Sequence, residues 1–208
     1  KTDAKTGLLH ARQFTLQAEQ ELARAARLGR PLTLVMADLD LLRDINNTHG
    51  HLAGDIAIKT VADVIRVCAR ADDRVARFGG EEFALLLVEQ PLEAAMQRAE
   101  QMRLAVEAAQ PVLPNGKTLC LSMSFGVTQL EPGDSSLDTL VHRADQGLYA
   151  AKHAGRNCVR SHQTTSPASE VVLAELLQYA PATARMHEGH SDSAVDCALP
   201  AASDTLRR

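Results

Sequence analysis

At 208 residues the chain has room for one domain with a tail or for one large domain, and its 45% hydrophobic and 23% charged residues suit a globular fold. A net charge of -4 leaves no basic footprint for a general nucleic-acid binder, no apolar run reaches the length of a membrane span, and the N-terminus lacks the charged-then-apolar form of a signal peptide. Trp is absent, so Leu, Val, Ile and Ala must build the core, and the widely spaced Cys68, Cys120, Cys158 and Cys197 read as reduced, mostly buried thiols of a cytoplasmic protein.

A turn-rich lead-in, Asp3-Ala4-Lys5-Thr6-Gly7-Leu8-Leu9, opens the chain. Phe14, Ala18, Leu22, Ala25 and Leu28 then recur on one face of an expected helix, stopped by Gly29-Arg30-Pro31. Leu32 to Ala37 reads as a buried strand that ends at Asp38-Leu39-Asp40. The polar stretch Asp44 to Asp55 reads as a loop running into a helix over residues 52–70, with Ile58, Val61, Ile65 and Cys68 inward. Arg74 to Phe78 and Phe83 to Val88 form the arms of a hairpin around Gly79-Gly80, a pair suited to a tight turn with positive φ. Leu92, Ala95, Ala99, Met102 and Val106 mark the next helix. Asn115-Gly116 signals a turn before a strand from Leu119 to Val127. Ser135 to Asp138 resembles a capping box for a helix that ends at Gly155. Alternating strands and helices with one hairpin predict an α+β domain, its central mixed sheet flanked by helices, over residues 1–160. Residues 161–208, rich in Ser, Thr, Pro, Ala and His, read as a weakly ordered tail with room for a short helix from Glu170 to Tyr179.

The chemistry concentrates at strand ends and turns. Glu81 and Glu82 place two carboxylates at the mouth of the hairpin, and Asp38 ends an otherwise apolar strand. Alone, Asp38 reads as a turn or cap residue. If strand 32–38 lies beside the hairpin, the three carboxylates converge, repel one another, and call for a hard cation such as Mg²⁺. Asn46 and Asp55 have the groups to read a guanine edge, Asp55 accepting from N1–H and the amino group and Asn46 bonding O6 or N3. An ordinary capped loop accounts for them equally well. His49 and His51 find no third ligand for zinc. Arg70 and Asp73, three apart, are either an exposed ion pair or a phosphate grip. Lys152 and Arg156 bracket a helix C-terminus, where cations complement the dipole.

Taken together these motifs resemble the catalytic domain of the GGDEF family, the diguanylate cyclases, in its GGEEF form. The resemblance spans roughly residues 1–160. It is carried by Asp3 to Leu8, Asp38-Leu39-Asp40, Asn46-Asn47, Gly50 to Asp55, Gly79-Gly80-Glu81-Glu82-Phe83, Ala144 to Lys152 and Gly155-Arg156-Asn157. Two departures are Leu42-Arg43, where Phe and Lys are common, and Asn47, where Asp is usual; no matched acidic residue is lost.

The resemblance implies a fold related to the nucleotidyl cyclases and polymerase palms, and the conversion of two GTP into cyclic di-GMP and two pyrophosphates. It implies Mg²⁺, with Mn²⁺ as an alternative, held by Asp38, the Leu39 carbonyl, Glu81 and Glu82. Glu81 is the catalytic residue of greatest consequence. Asn46, Asp55 and His51 lie at the nucleotide, Lys152 and Arg156 face its triphosphate, and Arg70 with Asp73 matches the RxxD inhibitory site for product. A homodimer is expected, because one domain carries one GTP. An N-terminal regulatory region, and membrane attachment of a longer protein through it, are expected as well. Rival readings are a silent module that senses GTP or cyclic di-GMP and a cyclase of altered base specificity.

Overall fold

The structure, a computed structural model, describes residues 1–163. Its elements run β1 (Leu9–His10), α1 (Ala11–Leu28), β2 (Leu32–Leu39), α2 (Leu42–His49), α3 (His51–Cys68), β3 (Arg74–Arg77), β4 (Glu82–Val88), α4 (Leu92–Ala109), β5 (Met123–Gln129), α5 (Leu137–His153) and β6 (Val159–Ser161). The strands form one sheet in the order β1-β3-β4-β2-β5-β6. Its four central strands pair antiparallel, while β1 on β3 and β6 on β5 are parallel, so the sheet is mixed as expected.

Side-chain alternation along β2 divides the core. Val35, Ala37 and Leu39 pack with Ala57, Val61 and Ile65 of α3 and Ala99, Met102 and Val106 of α4. Leu32, Leu34 and Met36 pack with Phe14, Ala18 and Leu22 of α1 and Leu140, Ala144 and Leu148 of α5. Helix α5 approaches the sheet closely because two glycines meet there. A Cβ on Gly126 would lie 2.0 Å from the Ala144 carbonyl oxygen and 2.2 Å from the Leu148 nitrogen, while Gly147 across from it sits 3.2 Å from the Gly126 Cα by the same measure.

Several expectations need correction. The segment 44–55 is not a loop: α2 occupies its first half and α3 all that follows Gly50. Helix α2 buries only Leu42 and starts without a side-chain cap, so its apolar stripe is too thin to read. Gly50, at φ 84, then serves both as C-cap of α2 and as N-cap of α3. The ladder of β5 begins at Met123; Leu119 and Leu121 are buried in the core ahead of it. The cap of α5 is Ser136, whose hydroxyl accepts from the Thr139 N–H, one residue later than expected. Neither Gly79 nor Gly80 has positive φ. The domain runs past residue 160: Ser161 closes β6, the His162 N–H donates to the Val127 carbonyl at 3.0 Å, and Gln163 Oε1 accepts from Thr128 and the Gln129 N–H. Cys68 and Cys158 are half-buried but Cys120 is exposed. The rest of the expected tail, the helix from Glu170 to Tyr179 and Cys197 lie outside the described residues.

Candidate active site

The end of β2 lies between β4 and β5, with Asp38 opposite Glu82 on one side and Ser124 on the other. The Leu39 N–H donates to the Glu81 carbonyl at 3.1 Å and so fastens the hairpin mouth to the strand end. Asp38 is buried and on the face covered by α5, whose Lys152 Nζ sits 2.9 Å from Asp38 Oδ2. Burial pushes the Asp38 carboxyl above its ordinary value; Lys152 opposes this, and Glu82 and Asp40 push the same way as burial. Negative charge is thus gathered at one point with one cation against it.

The expected three-carboxylate cluster is only partly formed. Among the described residues no three His, Cys, Asp or Glu side chains come together to hold a metal ion. Glu81 precedes β4 and meets β2 through its carbonyl; the residue set directly across from Asp38 is Glu82. Its Oε2 lies where a Cβ on Gly79 would be, 2.5 Å from that point. The Gly-Gly pair therefore gives room to Glu82 rather than supplying left-handed backbone. The donor set is nevertheless hard oxygen throughout, and a buried carboxylate beside like charges suits a small divalent cation.

The base-reading candidates meet at the α2–α3 junction. Asn46 Oδ1 is buried without a hydrogen-bond partner, and it lies 2.0 Å from where a Gly54 Cβ would stand, so only glycine fits at 54. A buried acceptor left without a partner on α2 is an expensive feature for mere capping. Asp55 is half-exposed and bonded to Lys5. His51 begins α3 at the surface.

Lys152 lies in the last turn of α5, and Arg156 is exposed in the turn that follows. Arg156 and Asn157 both have positive φ, 65 and 45, a costly pair for residues other than glycine. Asn157 fixes the turn: its N–H donates to Asp40 Oδ2 at 3.0 Å, its Oδ1 accepts from Arg103 at 2.8 Å, and its Nδ2 donates to Glu107 at 3.0 Å. Hydrogen bonds from Arg103 and Asn157 hold the Glu107 carboxyl below its usual value, burial notwithstanding.

A family model described as diguanylate cyclase, GGDEF domain, matches residues 1–158. The chain belongs to the GGDEF family of diguanylate cyclases. It is 43% identical over 156 residues to diguanylate cyclase DgcP of Pseudomonas aeruginosa, covering 75% of the chain and 23% of that protein. It is 39% identical over 136 residues to diguanylate cyclase A of Treponema denticola, covering 65% of the chain and 36% of that protein. The chain thus spans about a quarter to a third of the length of these curated relatives. Among solved structures, the GGDEF domain of DgcB from Caulobacter crescentus in complex with c-di-GMP superposes with a TM-score of 0.75 at 31% identity, over 77% of this chain and 94% of that one. The active GGEEF domain of a diguanylate cyclase from Vibrio cholerae gives 0.70 at 30% identity, over 75% and 98%.

In this GGDEF domain the two RxxD residues have different surroundings. Asp73 is buried: it pairs with Arg98 at 2.9 Å and accepts from the N–H groups of Arg70 at 2.8 Å and Val88 at 3.3 Å. Arg70 is exposed and lines a cavity of about 750 Å³ between α1 and the end of α3. They are joined through the Arg70 backbone, not as an ion pair.

Sequence reasoning passed over two residues that organise the site. Asp40, almost fully buried, accepts from Ser122 and Ser124 hydroxyls and from the Asn157 N–H, and so ties the strand end to the turn bearing Arg156. Its signal was the period of two, which puts it on the Asp38 face. Arg77 donates to the Gly80 carbonyl at 2.7 Å and reaches Asp3 at 3.4 Å, joining the hairpin to the lead-in; no local pattern announces that contact.

Proposed function

We propose that this domain condenses two GTP into cyclic di-GMP and two pyrophosphates, with Mg²⁺ or alternatively Mn²⁺ as its metal and a homodimer as its working unit. The observation that carries the reading is the cross-strand meeting of Asp38 and Glu82 beneath Lys152, at the mouth of the Gly-Gly-Glu-Glu-Phe hairpin. No packing argument accounts for a buried carboxylate opposite a second one.

Asp38, the Leu39 carbonyl, Glu81 and Glu82 would hold the metal, which when bound acidifies an attacking hydroxyl and steadies charge on phosphate oxygens. In the reaction the 3′-oxygen of one GTP bonds to the α-phosphorus of the other, the bond to pyrophosphate breaks, and the hydroxyl proton leaves. A second such step closes the ring. Glu81, whose carbonyl accepts from the Leu39 N–H at the strand end, is the residue assigned to that proton. Lys152 and Arg156 neutralise the triphosphate as charge moves onto the leaving group. Lys152 already faces Asp38 in the structure, so a phosphate arriving there exchanges one anionic partner for another. Asn46 and Asp55 hold the base, with His51 beside it. Each domain brings half of the reactants, so turnover rises with domain concentration.

Arg70 and Asp73 are assigned to product inhibition. The bound c-di-GMP of the DgcB domain supports a product-binding site here too, and Arg70 is free in its cavity to meet a phosphate.

The deciding experiment measures cyclic di-GMP formed from GTP and Mg²⁺ by the wild type and by Glu81→Gln. A loss of about a hundredfold or more is expected. Equal turnover by the two proteins refutes the assignment, and binding of cyclic di-GMP without turnover by the wild type would make the domain a sensing module instead.

A further inference from the structure

The lead-in turn takes no part in the chemistry above, yet it delivers a side chain to the base-reading carboxylate. Lys5 Nζ is bonded to Asp55 Oδ1 across fifty positions of sequence. The turn that carries Lys5 is well fixed. Thr6 donates to Asp3 through its N–H at 2.8 Å and its hydroxyl at 2.7 Å, Asp3 N–H donates to the Leu8 carbonyl, and Arg77 reaches Asp3 from the hairpin. Arg66, itself paired with Asp63, donates to the Thr6 carbonyl. Burial works against ionisation of Asp3, but the Thr6 hydrogen bonds and Arg77 outweigh it and hold that carboxyl below its usual value. The backbone on either side of Lys5 is thus anchored, while the side chains of Lys5 and Asp55 stay 41% and 49% exposed.

An exposed ion pair of this kind contributes little to stability. Its chemistry is more specific. An ammonium has three donors, of which Asp55 takes one, and a carboxylate has several acceptor sites. The pair therefore presents an acceptor and a donor side by side. The Watson–Crick edge of guanine is the complement: N1–H and the 2-amino group donate, and the neighbouring O6 accepts. Adenine reverses this at both places, with an acceptor at N1 and a donor at C6, so it would meet like with like.

We propose that Lys5 determines base specificity by donating to guanine O6 while Asp55 accepts from N1–H and the 2-amino group, which leaves Asn46 for N3. The proposal rests on the assignment of Asp55 to guanine made above. The Lys5→Met variant is titrated calorimetrically with GTP, inosine triphosphate and 6-thioguanosine triphosphate as their 3′-deoxy forms, which cannot cyclise. Inosine lacks the 2-amino group but keeps O6; 6-thioguanosine keeps N1–H but offers sulfur, a poor acceptor. Lys5→Met should weaken the first two by about tenfold and the third by no more than about twofold, with Lys5→Arg close to wild type. Equal weakening of all three overturns the proposal, because Lys5 would then act through Asp55 or on the triphosphate. Unchanged or tighter GTP binding overturns it as well, the latter making Lys5 a competitor for Asp55. Asp55→Asn separates the two levels: if it leaves GTP binding intact, the base-reading assignment itself falls. If it weakens GTP binding and Lys5→Met does not, only the role of Lys5 falls.

Discussion

Replacing Gly126 with Ala tests whether the contact of α5 with the sheet sets the site. The added methyl would lie 2.0 Å from the Ala144 carbonyl oxygen and 2.2 Å from the Leu148 nitrogen. Real contacts of this kind stay above about 3 Å, so the helix must retreat by roughly 1 Å. Both obstacles are backbone atoms inside a regular helix, and no rotamer change relieves them. Overpacking of this order costs about 3 kcal/mol, which for a domain of this size lowers Tm by roughly 6–12 °C. The same retreat carries Lys152 away from Asp38, whose separation of 2.9 Å leaves little slack. A misplacement of about 1 Å is expected to cut turnover by about a hundredfold. Thermal melting and cyclic di-GMP formation measure the two effects. Gly80→Ala is the control for stability, since nothing lies within 4 Å of its Cβ position and its φ is not positive; it should shift Tm by no more than about 2 °C. A Gly126→Ala protein as stable as Gly80→Ala would refute the packing argument.

Asp38→Asn should abolish activity yet leave the metal-free domain as stable as wild type or more so at pH 7. The folded chain holds the Asp38 proton more tightly than the unfolded one, so its ionisation detracts from stability as pH rises above the ordinary carboxylate range, and below that range the penalty vanishes. The gain from Asp38→Asn should therefore grow between about pH 4 and pH 7 in denaturant titrations; a gain that shrinks with pH contradicts the burial argument. Arg70→Ala should leave Tm unchanged and relieve inhibition by added cyclic di-GMP, and an unaltered inhibition curve removes Arg70 from the product site. Asp73→Ala should instead destabilise by about 3 kcal/mol, because it strands Arg98, one of whose nitrogens is already buried without a partner. A fully stable Asp73→Ala protein would show that the pair carries no structural load. Asn157→Ala should raise KM for GTP several-fold by releasing the turn that bears Arg156, with little change in affinity for the free base; an unchanged KM counts against that role.

The sequence carried most of the fold because long apolar stripes carry most of the burial. Phe14, Ala18 and Leu22, or Ala95, Ala99 and Met102, announce their helices at once. Short elements escaped for the opposite reason. Helix α2 buries a single leucine, and β1 and β6 span two and three residues whose pairing depends on partners far along the chain. The candidate site divides the same way. Asp38, Glu82 and Lys152 belong to compact motifs, and the register brings them together. The Lys5–Asp55 and Arg77–Asp3 contacts join residues more than forty positions apart with no local pattern to mark them. Glu81 lies just ahead of β4, where no strand alternation fixes the direction of a side chain.

The turn after α5 stores strain. Arg156 and Asn157 occupy left-handed backbone at a cost of about 1–3 kcal/mol each, and Asp40, Arg103 and Glu107 hold them there. That cost is met once, when the chain folds. A turn already confined to one shape loses little conformational entropy when a ligand arrives, so more of the binding free energy of Arg156 is left for the ligand. The strained backbone is in this sense a form of affinity, set aside before any nucleotide is encountered.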